Sequence, residues 1–201
     1  MKSEKKSFAT IIKQRFTAKR LALIAVFTAL SFTLSFLEIP MPLFGASFLK
    51  LDFGNVFILL ISFLLGPIEG VIVCLLKESL RLIGSSSLGA GELANFIVTS
   101  CFILLPSIIY RYRKNFKTVI ITLIISSIIA VGVALIVNRY IIFPTFAILF
   151  GGSIFGMTVK EAFSTFWLAV LIFNFIKTVS VSIFTILLYK RLSNLLKKWS
   201  V

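Results

Sequence analysis

Long apolar runs alternate with short polar interruptions along this chain. Six runs stand out, over residues 20–37, 52–65, 68–83, 91–110, 117–142 and 166–189. About 20 consecutive apolar residues cross the hydrocarbon core of a bilayer as a helix, so the pattern predicts membrane spans. The second and third runs are shorter than that and need shielding by protein rather than lipid. The expected fold is an all-α integral membrane protein: a six-transmembrane-helix bundle over 20–192, with a basic segment 1–19 before it and a basic tail 193–201 after it.

Two interruptions carry structure of their own. "EIPMPLFGASFLKL" has two prolines and a glycine that oppose a helix, yet it is apolar. Irregular backbone at membrane depth survives only against protein or a cavity, so this loop is expected to fold over an outer pocket with Phe48, Leu49 and Leu51 inward. The second is 145–165, with "FGGSIFG" and the polar "TVKEAFST", read as a long re-entrant or surface loop.

Composition agrees with the pattern. Of 201 residues 59% are hydrophobic, against about 45–50% in soluble domains, and mean hydropathy is +1.07. The net charge of +14 invites a nucleic-acid partner, but its distribution opposes one. Seven cations lie before residue 21, four in "RYRKNFK" and four after residue 189. Such clusters beside apolar runs follow the positive-inside rule, with anionic membrane lipid as their partner. Both termini and the 111–117 turn are therefore expected in the cytoplasm. The first run is long and five more follow, which argues against a cleaved secretion signal. Trp167 and Tyr189 fall where aromatic belts are expected at the two ends of the sixth run.

Several chemistries are excluded. The chain has no His and two Cys, Cys74 and Cys101, both inside apolar runs, so no metal site is expected. No phosphate-loop, nucleophile-elbow or zinc-protease motif occurs. Nothing marks an enzyme.

Polar residues inside the spans remain. Asn174 and Lys177 share one helical face, as do Glu92 and Asn95 after Gly91, while Asn138 lies toward the outer end of the fifth run. Buried amides can simply join helices. A mid-span ammonium needs a partner or a wet cavity, and the structural alternative for Lys177 is an ion pair with Glu92 or Glu161. Taken together, these groups describe an apolar pocket with a few donors and acceptors, suited to a planar, largely uncharged ligand. A carboxylate or phosphate ligand would draw more cations than one lysine. Ala18, Ala22, Ala25 and Ala29 form a small-residue face on the first helix, suited to close helix packing.

The stretches "ALSFTLSFLEIPMPLF", "FLKLDFGNV", "LLGPIEGVIVCLLKE", "GELANF", "NRYIIFP" and "FNFIKT" resemble the substrate-binding S components of energy-coupling factor (ECF) vitamin transporters, most closely the riboflavin-specific kind. The resemblance runs from about residue 20 to residue 197. It implies a bundle that binds riboflavin, as substrate and not cofactor, in its outer half. Asn95, Asn138, Asn174 and Lys177 would supply hydrogen bonds. Phe48, Leu49 and Leu51 would contact the ring system, and Asp52, Gly91 and Glu92 complete the candidate binding set. It also implies that the face at Ala25 and Ala29 docks on a transmembrane coupling subunit, that two cytoplasmic ATPase subunits supply energy, and that the S component topples within the membrane. The alternatives are an S component for another vitamin, a membrane scaffold without ligand, and a secondary carrier. The carrier would need acidic residues within spans to couple an ion.

Overall fold

A computed structural model describes residues 17–46, 48–85, 87–149, 151–154 and 156–199, with side chains described as far as residue 189. Among the described residues six helical rods make the bundle. The first is α1 (Ala18–Leu34). A flap follows, in which β1 (Ile39–Pro40) pairs antiparallel with β2 (Lys50–Leu51). Then come α2 (Asn55–Leu64), α3 (Pro67–Arg81) and α4 (Ala90–Tyr112). The fifth rod is α5 (Phe116–Val137), a π-helical turn (Asn138–Ile142) and α6 (Phe143–Leu149) in one line. The sixth is α7 (Val159–Trp199).

Side-chain placement follows the logic of a protein dissolved in lipid. On α5, Ser126, Ser127, Ala130 and Ala134 are buried, while Ile121, Ile124, Ile128 and Ile136 are exposed. Small inward residues let α5 lie close to α4, where the Ser126 hydroxyl donates to the Phe102 carbonyl oxygen. On α3 the inversion is sharper: Leu75, Leu76 and Leu80 face outward and the charged Lys77 and Glu78 face inward. Among the described residues, α4, the fifth rod and α7 are each long and apolar enough to cross a membrane. The short α2 is almost wholly buried, which supplies the shielding its length demands.

Two glycines make the α1–α2–α3 layer possible. Gly66 (φ +128°) turns the chain between α2 and α3, in a region that disfavours any side chain. Gly54 lies where α1 crosses the start of α2: a Cβ there would stand 2.3 Å from the Ser31 carbonyl oxygen. Ser31 Oγ donates to the Gly54 carbonyl oxygen at 2.8 Å, so the contact is bonded as well as close.

Three expectations change. The 145–165 loop is shorter at both ends than expected, because helix continues to Leu149 and resumes at Val159. Pro144, which has no N–H to donate, follows the wide π turn, where the regular ladder is already interrupted. Thr158 and Glu161 start α7 with reciprocal bonds: Thr158 N donates to Glu161 Oε2 (2.9 Å) and Glu161 N to Thr158 Oγ1 (3.3 Å). Secondly, α7 runs unbroken past residue 192, so its backbone has no boundary before the expected tail. Finally, Tyr189 packs inward against Phe63 and Tyr110, its hydroxyl bonded to that of Tyr110. The expected basic segment lies outside the described residues as far as residue 16.

Candidate functional site

One end of the bundle holds a cavity of about 590 Å³, within the roughly 300–1,000 Å³ of small-molecule sites. It opens where the flap, the C-terminal end of α3, the N-terminal end of α4, the π turn and the first half of α7 converge. The basic 111–117 turn and the start of α1 lie at the opposite end.

Beneath the cavity lies a buried ionic and amide network. Lys77 is fully buried and donates to Asp52 Oδ2, to Glu78 Oε1 (2.7 Å) and to Asn55 Oδ1 (3.5 Å). All three ammonium hydrogens are thereby used. Glu78 Oε1 also accepts from Asn95 Nδ2. The oxygen of Asn95 accepts from Asn55 Nδ2 (3.2 Å), from Thr99 Oγ1 (3.2 Å) and from the ammonium of Lys177. The network ties the residues just before and at the start of α2 to α3, α4 and α7. Its two carboxylates and two ammoniums cancel, so a ligand above it meets no net charge. Unpaired charges at this depth would be costly, which is the physical reason the set is balanced.

Lys177 therefore pairs with an amide. Glu92 and Glu161, its expected structural partners, are engaged elsewhere: Glu92 Oε2 accepts from Ser85 and Ser87 hydroxyls, each at 2.8 Å, and Glu161 starts α7. Asn95 is the amide that joins helices. Asn138 and Asn174 do not. Each donates from Nδ2 to a carbonyl oxygen one turn back in its own rod, Ala134 and Val170, both at 2.8 Å. Their side-chain oxygens have no protein donor among the described residues, and both residues line the cavity. The π turn begins at Asn138.

The walls are aromatic and aliphatic: Phe48, Leu49, Val98, Ile142, Phe146 and Phe173. Phe48 stands edge-on to Phe143, Phe146 and Phe166, with ring centroids 6.1, 6.4 and 5.8 Å away, which fastens the flap to α6 and α7. Of the residues expected at the site, Phe48, Leu49, Asp52, Gly91, Glu92, Asn95, Asn138, Asn174 and Lys177 line the cavity. Leu51 is buried but stands behind the wall, paired with Ile39 across the flap. The rim adds Glu38, Lys50 and Arg81, which sequence reasoning did not place at the site. Reasoning from sequence also missed Lys77, Glu78 and Asn55. The signal available was a Lys-Glu pair inside an apolar run of helical length.

A helical membrane bundle with an open-mouthed cavity over a charge-balanced network near one end defines a membrane protein that captures a small molecule. The comparisons say which kind. Residues 19–189 match the family model described as the ECF transporter substrate-specific component, and the chain belongs to that family. It is therefore a transporter component of the cell membrane and not an enzyme. The chain is 35% identical over 180 residues to the riboflavin transporter RibU of Staphylococcus aureus (strain TCH60), covering 90% of this chain and 93% of that one. It is 25% identical over 178 residues to the riboflavin transporter FmnP of Bacillus subtilis (strain 168), covering 87% and 92%. A solved S component of a bacterial ECF transporter superposes with a TM-score of 0.73 at 35% identity, covering 89% of this chain and 98% of that structure.

Proposed function

We propose that this chain captures riboflavin outside the cell and delivers it for ATP-driven uptake. The observation that carries the reading is the set of groups left open to the cavity. Asn138 and Asn174 present acceptor oxygens and Lys177 presents ammonium hydrogens, between walls of Phe48, Phe146 and Phe173. A flavin ring has an edge of alternating donors and acceptors and two broad apolar faces, which matches that set. Relatives named as riboflavin transporters support it.

Asn138, Asn174 and Lys177 hold the ring edge in this reading. Asn95 aims Lys177, and Phe48 and Leu49 cover the ring, with Asp52, Gly91 and Glu92 around it. The cavity end faces outward and both termini face the cytoplasm, because the basic 111–117 turn lies at the other end. Ala18, Ala22, Ala25 and Ala29 are all exposed on α1. That face docks on the transmembrane coupling subunit, which two cytoplasmic ATPase subunits drive. The test is a fluorescence-quenching titration of the detergent-purified protein with riboflavin. Saturation at one ligand per chain is expected, and no quenching would overturn the reading.

A further inference from the structure

The rim of the cavity carries an ion cluster that the floor does not need. Glu38, just before the flap, forms an ion pair with Lys50, whose Nζ lies 3.0 Å from Oε2, and accepts from Arg81 Nη2 through Oε1. Arg81 is fixed further: its Nη1 donates to the Ser35 carbonyl oxygen at 2.9 Å, and its guanidinium lies 5.9 Å from the Phe36 ring centroid. Glu38, Lys50 and Arg81 all line the cavity, as does Glu92 on α4. Two cations at a cavity mouth would ordinarily attract an anionic ligand, and Arg pairs readily with phosphate through two parallel bonds. Here a carboxylate of the chain itself already occupies both.

We propose that Glu38 sets the preference of this cavity for unphosphorylated over phosphorylated flavin, by serving as the built-in anion of Lys50 and Arg81. The inference rests on the riboflavin reading. With the ring edge on Asn138, Asn174 and Lys177, the polyhydroxyl chain of the ligand extends toward the rim. Hydroxyls there meet cations already paired with Glu38 and can exchange bonds with them at little cost. A terminal phosphate monoester brings about −1.5 to −2 charges at neutral pH. It meets Glu38 and Glu92, and it competes with the Glu38 carboxylate for Arg81. Replacing Glu38 with its neutral isostere removes the carboxylate that competes with the phosphate for these cations.

The experiment titrates the full chain and Glu38→Gln with riboflavin and with riboflavin 5′-phosphate, reading fluorescence quenching. In Glu38→Gln the ratio of the two dissociation constants is expected to move about tenfold toward the phosphate. The riboflavin constant itself moves less than about threefold, since neutral hydroxyls gain little from a freed cation. Added salt shrinks the gain, because the rim is partly exposed. Adding Arg81→Gln to the same variant cancels it. An unchanged ratio with riboflavin still bound overturns this inference and leaves the proposed function standing. Wild-type protein that binds no riboflavin overturns both. If Glu38→Gln binds neither ligand, Lys50→Gln decides, since the Lys50 side chain is 40% exposed and tolerates exchange. Selective weakening of the phosphate ester upholds the inference, and equal weakening of both ligands overturns it.

Discussion

Lys177 of α7 and Asn95 of α4 meet across the bundle, the ammonium donating to the amide oxygen. The other end of that amide donates to Glu78, which fixes which way it points. Lys177 is held in place by an uncharged group and keeps its remaining hydrogens for the cavity. A carboxylate partner would have neutralised it.

Lys177→Met is expected to weaken riboflavin binding by about ten- to a hundredfold, the scale of a lost bond to a charged group. The fold should lose less than when Lys77 is removed, because Lys77 still bridges Asp52 and Glu78 and the Asn95 oxygen keeps its donors from Asn55 and Thr99. Quenching titration reads the first effect and the melting temperature in detergent reads the second.

Lys77→Met should behave in the opposite way. It strands Asp52 and Glu78 as unpaired buried carboxylates, a loss of about 3–5 kcal/mol. The expected outcome is a sharply lower Tm and yield than for Lys177→Met, measured side by side. Equal stability of the two variants would contradict the assignment of Lys77 as the structural centre of the network.

The contrast between these lysines shows what the sequence discloses. Asn174 and Lys177 are legible because they break an apolar run at helical spacing, and Asn138 because it stands near the end of another. Lys77 and Glu78 are harder to read. Their run is short and amphipathic in the sense of a soluble helix, and only the packing shows that Leu75 and Leu76 face lipid while the charges face inward. Glu38 is less legible still, since its role depends on a flap that brings Lys50 back beside it. The length of the fifth rod was hidden by Pro144, which ordinarily ends a helix but here follows a π turn.

Gly54→Ala is expected to destabilise the bundle by about 1–3 kcal/mol. The added methyl collides with backbone at Ser31, which no rotamer change relieves. Thermal unfolding in detergent measures it. A neutral result would mean that α1 and α2 are farther apart than described.

Ala25→Leu and Ala29→Leu test the exposed face of α1. Riboflavin affinity should be unchanged, because both positions face away from the cavity, while Ile24, Phe27, Thr28 and Ser31 carry the inward packing. Co-purification with the coupling subunit should fall, since a close helix contact cannot admit the larger side chains. Retained assembly would move the docking surface elsewhere.

The most direct test of the central claim is the visible absorption spectrum of the protein purified in detergent from cells supplied with riboflavin. A yellow protein with flavin near one equivalent per chain, lost in Lys177→Met, is the outcome this account predicts. A colourless protein that takes up no riboflavin on addition would contradict it.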